Sequence, residues 1–452
     1  MLGRIIAGLV VAIAVAFGAF YAWAWHGEIA PASTPAALFD PGVVAKGAKL
    51  AAIGNCGTCH TQAGGKPYAG GFPVETPFGT VYGSNITPDP ETGIGSWSQA
   101  AFQRALREGV SRRGDHLYPA FPYDHFRHMS DGDIAALYAF MMTRQPVALK
   151  SREPELTFPM NIRLSAAAWK LIFLRGGGIA RDTAKSEEWN RGAYLVAGIG
   201  HCGSCHTPRN AFGAEKKSDE FAGGMGEGWR APGLGSKSPA PAPWTQAQLY
   251  TYLRDGFADQ HGVPAGPMQP VVRNLQKADD ADVRAMATYI STLGNQDRAL
   301  ADRNLRDALD FAHARAVRVP GATGSATTGS SPPANADPAA TAGAAIFAGA
   351  CATCHRSGGG LPIARPVALG LSTAVNAPEP TGFVRTVLDG IHPPPDEAGR
   401  FMPSFNGTLT DAQIIALATY VRAHYSRQPP WANVAATLSQ IRRQPTAAME
   451  AP

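Results

Sequence analysis

The chain has 452 residues, with 40 Lys and Arg against 35 Asp and Glu for a formal net charge of +5, and only 17% of its residues are charged. That length allows roughly three domains at ~150 residues each, and 50 glycines and 37 prolines point to small, loop-rich ones. There is no basic run and no dedicated basic face, which sets nucleic acid aside as a partner.

The first element is an uncharged apolar run, 21 residues from Ile5 to Trp25. As a helix it spans ~31 Å at 1.5 Å per residue, which matches the ~30 Å hydrocarbon layer of a bilayer. Arg4 supplies the cytoplasmic positive charge, and Tyr21, Trp23 and Trp25 sit where amphipathic rings favour the far interface. A cleaved signal peptide is the competing reading, but its apolar region is usually only ~7–15 residues. Ala30-Pro31-Ala32 is a poor cleavage site because of its proline. The expectation is a retained single-pass anchor over residues 1–30 in the cell inner membrane, with the rest of the chain on the periplasmic side.

Beyond the anchor, every cysteine falls in one of three Cys-X-X-Cys-His motifs: Cys56-Gly-Thr-Cys59-His60, Cys202-Gly-Ser-Cys205-His206 and Cys351-Ala-Thr-Cys354-His355. Two thiols three positions apart can each form a thioether with one vinyl group of the same porphyrin, and the adjoining imidazole reaches the iron. Structural zinc wants closed sets of four protein ligands, and a redox dithiol needs no histidine after it. The motifs therefore predict three covalently bound haem c groups, with His60, His206 and His355 as proximal iron ligands.

The chain also repeats around each motif. A short helical segment beginning with glycine precedes it: Gly47-Ala-Lys-Leu, Gly192-Ala-Tyr-Leu and Gly343-Ala-Ala-Ile. Another, with apolar residues at helical spacing and an aromatic at its end, follows: Asp133 to Phe140, Asp282 to Tyr289 and Gln413 to Tyr420. Glycine lets two helix axes approach closely, and the first and last helices of a small cytochrome c cross at such a glycine/aromatic contact. The fold expected is all-α: three tandem class I-like cytochrome c domains behind an N-terminal transmembrane helix. Their bounds are 40–149, 187–298 and 343–430. Residues 150–186 read as an interdomain connection, in which Leu164 to Leu174 suits an interfacial amphipathic helix or one packed between domains. Residues 299–342 read as a connection whose Pro/Gly/Ser/Thr-rich part, 319–342, is a flexible tether. The tail over 431–452 is uninformative.

Each iron also needs a sixth ligand. Met402, in Arg400-Phe-Met-Pro, precedes the last helix of the third repeat by the expected loop, and Met268, in Gly266-Pro-Met, holds the same place in the second. Met286 reads as helix core, and Met225 as surface or packing. In the first repeat Phe121 stands where the alignment asks for methionine. His125 is placed first there, Met129 is the alternative, and His128 and His116 follow. Around these sites Asn85 and Trp97 are expected to order the loop over the first haem. His201 reads as a solvent-facing or propionate-contacting residue, and Arg209 as a propionate partner or a plain surface residue.

Several longer stretches carry a family resemblance: Thr76-Pro-Phe-Gly-Thr-Val-Tyr, Asn85 to Trp97, Arg191-Gly-Ala-Tyr-Leu-Val, Gly200 to Asn210 and Trp244-Thr-Gln-Ala-Gln-Leu. They resemble the triheme cytochrome c subunits of bacterial membrane-bound dehydrogenases, including those of alcohol, gluconate, fructose and aldehyde dehydrogenases, over nearly the whole chain after residue 40. The resemblance implies a non-catalytic role, in which a separate catalytic dehydrogenase subunit supplies electrons that leave to ubiquinone or a terminal acceptor of the respiratory chain. Many relatives carry Pro-Ala-Met-Pro-Tyr in the first domain. This chain has Pro-Ala-Phe121-Pro-Tyr-Asp-His125, which resembles the cytochromes paired with molybdenum hydroxylases more than those paired with flavoprotein or quinoprotein alcohol and sugar dehydrogenases. The competing function is a multihaem peroxidase-like enzyme using an open haem in the first domain. No apparatus for substrate chemistry is visible elsewhere.

Overall fold

Short capped helices separated by glycine-rich loops build the chain, in a computed structural model that describes residues 1–174, 176, 178–294, 298–316, 338–355, 368–393 and 399–443. They form two compact units. One comprises Met1–Ala180 with Ala197–His201, and the other Arg181–Val196 and the chain from Cys202 onward.

In the first unit, helix α1 (Leu2–Ala24) has a mean hydropathy of 2.5 over its most apolar window, none of which is buried. Length and composition suit a membrane crossing, as the sequence leads one to expect. Its last residue behaves differently: Ala24 is buried, and Ala24 O accepts from His116 Nε2 at 2.7 Å. Helix α2 (Pro41–Ile53) starts where Asp40 accepts from the backbone N–H groups of Gly42 and Val43, with proline in the first turn. Helix α3 (Gln99–Glu108) runs from a Ser98 cap to Gly109, whose φ of 61° favours glycine. Helix α4 (Asp131–Met142) is capped by Ser130. Helices α2 and α4 cross at Gly47, where a β-carbon would collide with Ala136 O and Phe140 Cβ.

Strands β1 (Pro73–Thr76), β2 (Gly79–Tyr82) and β3 (Glu155–Leu156) form an antiparallel sheet in that order. Helix α5 (Leu164–Phe173) buries Ala166, Ala167 and Lys170 against the same unit. Much of the segment expected to be only a connection over 150–186 is thus built into the first unit.

The second unit repeats the crossing twice. Helix α6 (Glu187–Ala197) meets helix α9 (Asp280–Ser291) at Gly192, which backs on Ala285 O and Tyr289. Helix α11 (Pro338–Ala350) meets helix α13 (Asp411–Tyr425) at Gly343, which backs on Ala416 O and Tyr420. The glycine/aromatic pairs are those expected from the sequence. Between them lie the hairpin of β4 (Gly224–Gly226) and β5 (Trp229–Ala231), α7 (Gln246–Asp255), α8 (Met268–Leu275), α10 (Arg298–Ala316) and α12 (Thr381–Asp389). Capping boxes of Thr245 with Gln248 and Thr410 with Gln413 start α7 and α13.

Two expected boundaries change. Of the tether expected over 319–342, residues 319–337 lie outside the described residues, while the rest opens α11. The tail is not featureless: α14 (Val434–Arg443) buries Val434, Leu438 and Ile441, together with Trp431, in the core of the third repeat.

Candidate haem-binding sites

After α2 the chain turns through Gly54 and Asn55, the latter at φ 51°, into one helical turn at Cys56–Cys59. Nδ1 of the next residue, His60, donates to Ser84 O at 2.7 Å. A carbonyl can only accept, so Nδ1 carries the proton and Nε2 presents its lone pair, the tautomer an iron ligand needs. The acceptor is itself held in place. Asn85 Nδ2 donates to Val147 O at 2.8 Å and Leu149 O at 3.0 Å, and its Oδ1 accepts from Thr87 N at 3.0 Å. The loop-ordering role expected of Asn85 thus reaches the histidine through one peptide group. Trp97 contributes through its carbonyl, which accepts from Tyr138 Oη at 2.7 Å. Gly83 backs directly on Cys59 O, leaving no room for a side chain.

The second motif repeats this geometry. His206 Nδ1 donates to Pro232 O at 2.7 Å, again freeing Nε2. The β4–β5 hairpin ties the two ends of the site together: Gly226 lies against Cys205 Sγ, and the Trp229 ring fills the space a side chain at Gly266 would occupy, two residues before Met268. In the third motif His355 Nδ1 has no partner among the described residues, and residues 356–367, which follow it, lie outside them.

The six cysteines form no disulfide with one another, and each is half-buried. Burial pushes Cys56 and Cys202 up to about 12, and Cys205 and Cys351 up to about 11. That is opposite to the lowered thiol of a redox Cys-X-X-Cys. In the first two motifs, half-buried cysteine pairs beside an imidazole held through Nδ1 fit a covalently attached porphyrin.

Among the expected sixth ligands, Met402 is half-buried against the third-repeat core and pairs with Ile391 through two backbone hydrogen bonds of 2.9 Å. Met268, also half-buried, opens α8. Met286 is buried within α9, as core, and Met225 is 48% exposed. In the first repeat Phe121 packs on Phe126, with ring centroids 5.3 Å apart. His125 is buried in the short turn Tyr123–Phe126, and its Nδ1 donates to Ala197 O at 2.8 Å. Met129 is fully buried where the loop enters α4, and His128 is half-buried. His116 is taken up at the end of α1.

His201, read as solvent-facing or propionate-contacting, is half-buried and held against the protein. Its φ is 37°, its Nε2 meets Gly54 O at 3.1 Å, and its ring stands edge-on to Phe126 at 5.6 Å. A histidine at positive φ costs on the order of 1 kcal/mol, offset here by those two contacts. No sequence signal marked it, because the contact joins residues far apart in the chain. Arg209 holds its own loop by donating to Ser204 O at 2.9 Å and Gly213 O at 2.5 Å.

Comparison with known proteins adds a second line of findings. A family model of cytochrome c matches residues 44–145, and one of cytochrome C oxidase, cbb3-type, subunit III matches residues 338–421. A subunit of nicotinate dehydrogenase from Pseudomonas putida is 41% identical over 93% of this chain, which spans only 34% of that relative's length. The fructose dehydrogenase cytochrome subunit of Gluconobacter japonicus is 34% identical over 87% of this chain and 81% of its own. The cytochrome c subunit of alcohol dehydrogenase (quinone) from Gluconobacter oxydans is 33% identical over 89% of this chain and 83% of its own.

Proposed function

This chain belongs to the cytochrome c subunits of dehydrogenases, and we propose that it carries three covalent haem c groups in three tandem cytochrome c domains and passes electrons between them. Cys56 and Cys59, Cys202 and Cys205, and Cys351 and Cys354 hold the porphyrins. His60, His206 and His355 bind the irons, with Met268 and Met402 as sixth ligands in the second and third domains and His125, or alternatively Met129, in the first. Bound haem supplies a one-electron couple that cycles without bond breaking. The protein fixes the axial donors, excludes water with the apolar cores and, through Ser84 O and Pro232 O, holds two imidazoles in the coordinating tautomer. That pair of 2.7 Å bonds, each made by the histidine of a Cys-X-X-Cys-His motif, is the observation that carries the reading.

The electrons come from a catalytic dehydrogenase subunit and leave to ubiquinone or a terminal acceptor, with α1 anchoring the chain in the inner membrane and the domains on its periplasmic side. The donor is a molybdenum hydroxylase-type enzyme. The Phe121/His125 variant supports this. The alternative donor is a flavoprotein or quinoprotein alcohol or sugar dehydrogenase. Relatives named as cytochrome subunits favour electron transfer over the peroxidase-like alternative.

Haemochrome analysis with intact mass tests the loading. Three haems resistant to acid–acetone extraction are expected, and one fewer when Cys202 and Cys205 are both replaced by Ala. Three covalent haems retained in that variant would refute the assignment. Purification with the bound partner, followed by identification of its cofactor, decides between the donors.

A further inference from the structure

Helix α5 is the element the electron-transfer reading leaves unused. It packs through Ala166, Ala167 and Lys170, yet Leu171 and Ile172 are 51% and 53% exposed. At 100° per residue, Leu164, Ala168, Leu171 and Ile172 fall on one face, opposite the packed one. A one-sided apolar stripe on a short helix needs a partner phase.

The neighbours identify that phase. Both ends of α5 are pinned to one stretch of chain. Arg163, just before it, donates to His116 O at 3.3 Å, and Lys170 Nζ donates to Glu108 O at 2.8 Å and Gly109 O at 3.0 Å. Residues 109–117 fold back on themselves, with Val110 bridged to His116 and Leu117 N donating to Gly109 O at 2.8 Å. The same stretch grips the end of α1. His116 Nε2 holds Ala24 O, Arg112 O accepts from Ile29 N at 2.9 Å, and Arg112 pairs with Glu28 at 2.6 Å. Leu164 lines a cavity of about 230 Å³ together with Tyr21, Trp25, His26 and Arg113. Leu164, at the start of the stripe, thus shares a cavity with Tyr21 and Trp25 at the aromatic end of α1, whose lining also holds Asp115. Nearby on the chain, Phe158 and Ile162 are also exposed, at 78% and 48%.

We propose that α5 lies in the bilayer interface with Leu171 and Ile172 in the acyl region, so that the first domain is seated on the membrane by two elements rather than hung from one. The proposal rests on α1 crossing the membrane. Lys170, buried and bonded to two carbonyls, faces the protein, so the apolar side of the helix carries no charge into lipid.

Nitroxide labels at Leu171→Cys and Ile172→Cys, in the full haem-loaded chain, test it. The chain is reconstituted in vesicles of phosphatidylethanolamine with a minority of phosphatidylglycerol. Ile13→Cys in α1 and the exposed Glu91→Cys serve as lipid and water references, and unchanged haem content confirms folding. Oxygen-rich, nickel-chelate-poor relaxation at 13, 171 and 172 is the expected result. Chelate access at 171 and 172 like that at 91, with 13 still lipid-like, overturns the seating and leaves the anchor standing. Shielding of 171 and 172 from both reagents overturns it in favour of a protein partner. Chelate access at 13 overturns the anchor and the seating with it.

Discussion

His125 is the proposed sixth ligand in the first repeat and Met129 the alternative, and the two differ in their surroundings. His125 is buried in the turn Tyr123–Phe126, where its Nδ1 donates to Ala197 O at 2.8 Å. Met129 is buried at the foot of α4 and explains itself as core. On the proposed assignment, His125→Ala should produce one high-spin ferric haem with any others unchanged, and Met129→Ala should leave the spectrum as it was; the reverse pattern would exchange the assignments. His116 sets a second expectation. Burial, then Lys170 and His26 nearby, hold it down to about 4, against the pull of its bond to Ala24 O and of Asp115. Between its ordinary 6.5 and about 4 the unfolded chain takes up a proton that the folded chain refuses. Stability contributed here is thus full above 6.5 and lost as pH falls through that window. Thermal melting of the first unit should drop with acid across it. His116→Gln, which keeps a donor for Ala24 O, should show a shallower drop than the parent.

At the level of elements, the three glycine/aromatic crossings were legible because a close helix approach leaves a local mark: a glycine on one stripe and an aromatic on the other. The haem motifs were legible for the same reason, since their chemistry is compressed into five adjacent residues. Helices α10 and α14 were not. Their sequences sit in segments read as connection and tail, and only burial with distant residues makes them core: Leu438 shares a cluster with Val384 and Val421, and Ala308 and Ala312 share one with Ala242 and Leu371. The third crossing allows a paired test. Gly343 has Ala416 O and Tyr420 Cβ where its side chain would be, whereas Gly349 on the same helix has open space. Gly343→Ala should destabilise the third repeat by about 1–3 kcal/mol through overpacking. Gly349→Ala should be neutral or stabilising by about 0.5–1 kcal/mol from helix propensity. Denaturant unfolding followed at the haem absorbance checks both, and equal effects would remove the crossing as the cause.

Across the second unit, the question is what keeps the third repeat on the second. The polar links are weak: Arg230 meets Glu379 at 3.5 Å, and Gln269 Nε2 reaches His392 O at 3.4 Å. Exposed pairs of this kind contribute ~0–1 kcal/mol. The Arg400 guanidinium over Phe257, at 3.3 Å from the ring centroid, adds about as much. The apolar contact is firmer. Ala308 and Ala312 of α10 are buried with Ala242 of the second repeat and Leu371 of the third, and a side chain at Gly370 would meet Ala312. Helix α10, following directly on the second repeat, thus acts as a strut against which the third is set. Ala312→Glu places an unpaired carboxylate in that contact, which costs enough to open it. The haem motifs lie elsewhere, so each domain should still fold. Amide exchange should speed up at Leu369–Leu371 and along α10, with three haems and the α11–α13 crossing retained. Protection unchanged at Leu369–Leu371 would transfer the role to the polar links. In that case Arg400→Ala and Glu379→Ala together should release the repeat where Ala312→Glu does not.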